Sequence, residues 1–336
     1  MHQENPPPRS LVAELPPKGL AEPRTVMTVA EELRSLVTAG TLDLPLPGEG
    51  DTAARWSALC ELGRRDLVLA RLGEGHTDAT AILAEAGAVP EPNALYGVWA
   101  SRSGGTGAEL VDGRASGLVR FCSGSSALDR ALVVADERLV EVDLGHEGVH
   151  AHPETWRAVG MDVSDSGDVV LDGVPVERTV GGRGWYVRRR GFALGGAGVA
   201  AVWLGGAVGV VDRVVEFLRD RGHVDDHQAA HLGALRTAIA ATDALLVRTA
   251  GELDDGRAGG SGDAGTALVV DLARAAAEST ARDVLDRAPR VVGPVGLTRD
   301  RDLPRRLADL QVYVRQHHGE RDLASLGRHV VDGGAR

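Results

Sequence analysis

Gly117 to Leu144, GLVRFCSGSSALDRALVVADERLVEVDL, decides how this chain is read. Leu118, Arg120 and Cys122 alternate with Val119, Phe121 and Ser123, the period-two pattern of a half-buried strand. A Gly/Ser turn follows, then the apolar run Ala131 to Ala135 and a further strand-like stretch from Leu139 to Leu144. Two or three short strands in this order form the middle of an antiparallel β domain.

The strand pattern extends outward on both sides and then gives way to helix. From Tyr96 the chain becomes strand-like, and Ser164 to Val176 is so again, with Gly160 and Gly173 at turns. Pro90 and Pro92 mark a boundary on the N-terminal side. Before it, Thr28 with Glu31 reads as the cap of a helix from Val29 to Thr38, stopped by Gly40. Thr52 to Leu72 carries Trp56, Leu59, Leu62, Leu67 and Leu69 at near-helical spacing, interrupted at Gly63, and a further helix spans Thr77 to Ala86. From Gly191 onward four segments, about 191–221, 227–255, 264–288 and 302–331, carry apolar stripes such as Leu232, Leu235, Ile239 and Leu246. Breaks fall near His223, at 256–265 and at Pro289 to Gly296, so an antiparallel four-helix bundle is expected. The class is α+β. The expected division is a Pro-rich, extended or disordered lead-in at 1–25, a shortened N-terminal helical domain at 26–92, a central antiparallel β domain at 93–180 and the bundle at 181–336.

With 336 residues, 43% hydrophobic and 25% charged, the chain can bury a sizeable core. A net charge of −11 argues against a nucleic-acid or anionic-membrane surface. Lys18, the only lysine, lies in the Pro-rich stretch, which leaves no placed amine for Schiff-base chemistry. Cys60 and Cys122 make neither a disulfide framework nor a metal-ligand spacing, so no metal is expected and a cytoplasmic location fits. MHQENPPPRS lacks the apolar segment of a signal peptide. Phe192 to Val211 has 20 residues without a charge, long enough to span a membrane, but its six glycines fit a tightly packed buried helix better.

These segments resemble the acyl-CoA dehydrogenase family over roughly residues 56 to 331, most closely at 66–76, 117–176 and 308–327. Phe121-Cys122-Ser123-Gly124, with Asp129 and Ala131 to Ala135, is similar to the family segment that lines the flavin ring. The resemblance implies a flavoprotein holding FAD, with FMN possible, in which the Ser123 hydroxyl bonds flavin N5 and Phe121 packs on the ring. Asp66 to His76 is similar to a stretch of the family's helical domain, which would set His76 toward the flavin pocket; alternatively His76 caps a turn. Trp99 stands where the family has a Thr on the flavin pyrimidine, and Ala100-Ser101 replaces its Glu-Pro. Gly160-Met161 and Asp172 to Val176 match the family's β domain. Arg219 or Arg221 followed by His227-Gln228 resembles an Arg and His-Gln pair whose arginine contacts the flavin pyrophosphate of a neighbouring subunit, although the intervening Phe-Gly is absent; a solvated charge cluster is the alternative. Gly293 to Gly296 resembles a glycine loop, with Arg290 in place of the preceding Gln. A homo- or hetero-oligomer is implied by the same likeness.

The chain departs from the family at the catalytic base. A glutamate that removes the α proton is expected just after the segment resembling Ala308 to Tyr313, and His317, or His318 with a slip of one, stands opposite it. No Asp or Glu occurs between Glu177 and Asp212, and Glu320 is the nearest substitute, three residues late. Three readings follow. One is a flavin-dependent dehydrogenase of an acyl-CoA or acyl-carrier thioester, with His317 or Glu320 as base and an electron acceptor as partner. Another is a two-component flavin monooxygenase of the same fold, fed by a reductase, in which Ser123, His76 and His317 stabilise and protonate a flavin hydroperoxide. The third is a non-catalytic binding protein or subunit of a hetero-oligomer, which Trp99, Arg290 and the lost glutamate favour.

Overall fold

The computed structural model describes residues 10–12, 24–256 and 263–331. Most of the Pro-rich lead-in therefore lies outside the described residues. Where it is described, Leu11 is buried and its N–H donates to Asp243 Oδ1 at 2.8 Å, so the chain is held at this point.

Helix α1 (Val26–Thr38) begins three residues before the expected start at Val29. The Thr25 hydroxyl accepts from the Thr28 N–H at 3.1 Å, and Thr28 Oγ1 accepts in return from the Thr25 N–H at 2.9 Å. Thr28 thus closes a reciprocal capping box from its third helical position. The next break falls at Asp66, not Gly63, between α2 (Thr52–Arg65) and α3 (Leu67–Glu85). Asp66 Oδ1 accepts the Val68 and Leu69 N–H groups at 2.7 and 3.2 Å and starts α3, which runs unbroken past His76.

Among the described residues eight strands form one sheet: β1 (Tyr96–Trp99), β2 (Gly107–Val111), β3 (Arg114–Val119), β4 (Arg130–Ala135), β5 (Arg138–Asp143), β6 (Val149–His152), β7 (Asp168–Pro175) and β8 (Arg178–Val180). The order is β6-β7-β3-β2-β4-β5-β8, with β1 also on β4. The pairings of β4 with β1 and β2 are parallel, so the sheet is mixed where an antiparallel one was expected. The β2–β3 hairpin turns the chain back before β4 begins, which leaves β4 running alongside the earlier strands. Alternation along β4 divides the core. Ala131, Val133 and Ala135 join Trp99, Val119, Cys122 and Val169, whereas Leu132 joins Ala79, Ile82 and Leu83 of α3.

After two short helices, α4 (Trp185–Arg188) and α5 (Arg190–Gly196), come α6 (Gly198–Arg221), α7 (Asp226–Asp254), α8 (Asp263–Arg299), α9 (Asp302–Tyr313) and α10 (Glu320–Val331). The expected break at Pro289 to Gly296 is a kink inside α8, centred on Gly293 at φ 61° and ψ −168°. The expected fourth segment is two helices, α9 and α10, parted by residues 314–319.

The chain forms two compact units. One, the β unit, holds residues 19–44 and 66–195, with α1, α3 and the sheet; the other, the helical unit, holds 1–18, 45–65 and 196–336, with α2 and α6 to α10. The helices of 26–92 are thus shared between the units and form no body of their own. Among the described residues two helical stretches, Arg190–Arg221 (α5 and α6) and Asp226–Asp254, are long and apolar enough to cross a membrane by length and composition. The apolar window of the first is 89% buried inside the protein, as in a core helix. Three glycines allow it to touch α2 backbone to backbone: Gly205 lies against the Cys60 carbonyl, Gly209 against that of Arg64, and Gly63 against that of Val202.

Candidate functional site

Strand β3 stops at Val119, earlier than the alternation through Ser123 predicts. Phe121 takes a φ of 59° and its ring is 54% exposed, while Cys122 turns into the core. A left-handed phenylalanine costs on the order of 1 kcal/mol and persists only where its surroundings fix it. Here residues 122–126 are laced to the loop before β7. The N–H groups of Cys122, Gly124 and Ser125 donate to the carbonyls of Gly167, Ser164 and Asp165 at 2.8, 2.9 and 3.1 Å. The Asp165 carboxylate accepts the Ser125 hydroxyl at 3.0 Å and the Ser126 N–H at 2.5 Å.

This lacing holds Ser123 by every polar atom that reaches it. Its carbonyl accepts the Trp99 indole N–H at 3.2 Å. Its hydroxyl accepts from Arg71 Nε at 3.1 Å and lies 2.8 Å from the Ser166 hydroxyl, which lies 2.8 Å from that of Ser164. Arg71 also pairs with Glu74 at 2.7 Å. Trp99, buried in the β core, has its N–H engaged and acts on the site through Ser123. Arg71, Gly75, Tyr96, Trp99, Ser123 and Leu128 line a cleft of about 10 Å³, room for about one water molecule.

His76 precedes Ala79 by one helical turn, on the face of α3 that packs against β1. It does not cap a turn. Its Nδ1 accepts the Tyr96 N–H at 3.3 Å, and Tyr96 is itself fixed, its hydroxyl donating to Glu141 Oε1 at 2.9 Å and accepting the Glu91 N–H at 2.8 Å. Burial lowers the His76 pKa to about 4, against the pull of the Asp43 carboxylate. At neutral pH the ring is therefore uncharged, with its proton on Nε2, because Nδ1 already serves as acceptor.

In the helical unit His317 is buried after a short 3-10 turn (Val314–Gln316) and meets Trp203 edge-on, with ring centroids 6.3 Å apart. The Arg274 guanidinium lies over the same indole at 5.0 Å. His317 Nδ1 accepts the Gly319 N–H at 3.2 Å, so Nε2 again carries the proton, and it points toward Asp322 Oδ2 at 3.9 Å. Burial holds the imidazole below its ordinary value although the Asp322 and Glu278 carboxylates pull it up. His318 is exposed, and Glu320 is an exposed residue in the first turn of α10.

Other expected site residues have structural roles or open positions. Gln228 Oε1 accepts the Asp225 N–H at 3.1 Å in the cap of α7, and its Nε2 donates to the Val291 carbonyl at 2.8 Å beside the kink at Gly293. Both ends of this amide are engaged inside the helical unit. Gly293 supplies the left-handed φ at the kink. Arg219 is exposed at the end of α6, on an apolar groove of about 310 Å³ with Leu218, Val224 and Leu232. Arg290 pairs with Asp286 on the surface.

Four groups were missed from sequence. Arg71, Ser164 and Ser166 lie around Ser123. Asp271 of α8, whose carboxyl burial raises while Arg274 draws it down, shares the electrostatic surroundings of His317. The Ser164-Asp-Ser-Gly167 cluster was the available signal, read as the start of a strand.

Residues 182–315 match the family described as acyl-CoA dehydrogenase, C-terminal domain. No curated protein matches the chain in sequence. Among solved structures, dibenzothiophene monooxygenase TdsC from Paenibacillus sp. A11-2, in complex with FMN and indole, superposes with a TM-score of 0.75 at 17% identity over 92% of this chain and 96% of that one. Methanesulfinate monooxygenase MsuC from Pseudomonas fluorescens gives 0.72 at 19% identity over 94% and 98%. A chain of the electron transferring flavoprotein structure from Acidaminococcus fermentans gives 0.74 at 17% identity over 89% of each. At such identities the likeness is one of fold.

Proposed function

A divergent member of the acyl-CoA dehydrogenase-like fold, this chain is, we propose, a flavin-dependent monooxygenase that takes reduced FMN from a separate reductase and oxygenates a small organic molecule. The observation that carries this reading is the shared tautomer of two buried histidines, His76 in the β unit and His317 in the helical unit, each with Nδ1 tied to a backbone N–H. Each offers a proton at Nε2 and no free lone pair, so each is a donor and neither is a ready base. Bound reduced flavin supplies the two electrons with which O2 is split, one oxygen atom entering the substrate and the other leaving as water. The residues present fit the group: Ser123 keeps a lone pair beyond its bonds to Arg71 and Ser166, and the exposed Phe121 ring is held beside it at a strained φ. Phe121 would flank the ring system and Ser123 would meet its N5 edge, while each histidine, within its own unit, offers the kind of proton that the reduction of oxygen consumes. FMN is favoured over FAD because Gln228 and Gly293, assigned by resemblance to the cofactor, are used between α7 and α8. FMN in the TdsC structure supports the same choice.

One observation favours the dehydrogenase reading: Asp271, a carboxylate in the electrostatic surroundings of His317, is held above its ordinary range by burial. Anaerobic acyl-CoA thioesters separate the two readings. The FMN-loaded protein is expected to keep its oxidised visible absorbance in their presence, whereas bleaching that disappears in Asp271→Asn would overturn the proposal in favour of dehydrogenation. With reductase and oxygen, Glu320→Gln should turn over like the wild type, and His317→Ala should lose about 100-fold in kcat.

A further inference from the structure

Each serine hydroxyl has one proton, and this fixes the direction of the buried chain beside Ser123. Ser164 Oγ donates to the Met161 carbonyl at 2.7 Å, a group that can only accept. Its proton being used there, the 2.8 Å bond between Ser164 and Ser166 must be donated by Ser166. The 2.8 Å bond between Ser166 and Ser123 must then be donated by Ser123. Arg71 Nε, a donor, fits the other side of Ser123 at 3.1 Å. All three serines are buried, so water does not readily exchange into the chain. Ser123 therefore sends its proton inward and presents an acceptor outward.

We propose that Ser164 and Ser166 are positioning residues that make Ser123 a hydrogen-bond acceptor toward the flavin, so that the site takes reduced flavin in preference to oxidised flavin. The inference rests on the reading that a flavin lies against Ser123. N5 of a reduced flavin carries a hydrogen and can donate to Ser123, whereas N5 of an oxidised flavin is an acceptor and meets a lone pair. Binding the oxidised form requires Ser123 to break its bond to Ser166 and leave a buried acceptor unpaired.

The test is the pair of dissociation constants for oxidised FMN and for FMN reduced anaerobically, with the midpoint potential of the bound flavin as a second readout. The wild type should bind the reduced form about tenfold more tightly, the worth of one hydrogen bond of about 1.4 kcal/mol. This corresponds to a bound potential about 30 mV more positive than that of free FMN. In Ser166→Ala the Ser123 hydroxyl is released to donate outward, and the ratio should fall toward one. Ser164→Ala should do the same, because it frees the Ser166 proton to turn back toward Ser123; it serves as the check should Ser166→Ala fold poorly. Equal binding of both forms by the wild type, or a preference unchanged in folded variants, would overturn this inference alone. Failure of both forms to bind would overturn the flavin reading with it.

Discussion

Gly205→Leu should unfold the helical unit, with Gly205→Ala already costing about 3 kcal/mol or more. A Cβ at Gly205 would overlap the Cys60 carbonyl and press on the Arg64 N–H, both backbone atoms of α2 that cannot rotate away. Gly63 and Gly209 make the same kind of contact one turn either side, so α2 and α6 cannot separate at one point without losing the others. Trp203 and Leu204, buried beside Gly205, would lose their packing in the process. Gly233→Ala in α7 is the control, since a Cβ there meets nothing and helix propensity favours alanine by up to about 1 kcal/mol. Urea unfolding followed by circular dichroism reads both variants. An unchanged midpoint for Gly205→Leu would show that the two helices do not touch through these glycines.

Lowering the pH should cost the wild type about 3 kcal/mol more than His76→Gln between pH 7 and pH 4. The folded pKa of His76, about 4, lies below the 6.5 of the unfolded chain. The unfolded state therefore binds the proton first, and the stability present above pH 6.5 is lost as the pH falls toward 4. Protonation at Nδ1 would also set two N–H groups against each other, because Tyr96 already donates there. The common titration of the carboxylates cancels in the difference between wild type and variant. If the two unfolding free energies run parallel over this window, His76 is not a buried neutral imidazole and its place as a donor falls.

Much of the fold could be read from periodicity. The stretch from Ala131 to Ala135 is a central strand because its alternation serves two cores at once, one with Trp99 and one with α3. The strand before it ends earlier than its alternation predicts, since a left-handed φ at Phe121 leaves no trace in a period-two pattern. Periodicity does not fix the start of α1, because Thr25 and Thr28 are both capping residues and only geometry shows which begins the helix. At the site, Ser123 could be named from the residues around it, but its partners could not. Arg71 reads as the polar face of a helix, and Ser166 comes 43 residues later, brought in by the pairing of β3 with β7. Gln228 and Gly293 are residue types that suit a cofactor as well as a helix cap and a kink, and the bond from Gln228 to the Val291 carbonyl is not legible in the sequence. His317 was visible as the residue opposite a missing glutamate, yet its chemistry is set by the Gly319 backbone N–H, which no sequence pattern displays.

The measurement that bears most directly on the central claim is the re-oxidation of reduced FMN when oxygen is mixed with the anaerobic protein complex. The account predicts that oxidised-flavin absorbance returns more slowly than in free FMN and after a lag, with the lag shortened in His76→Phe and in His317→Phe. Re-oxidation indistinguishable from that of free FMN, and unaffected by either substitution, would contradict it.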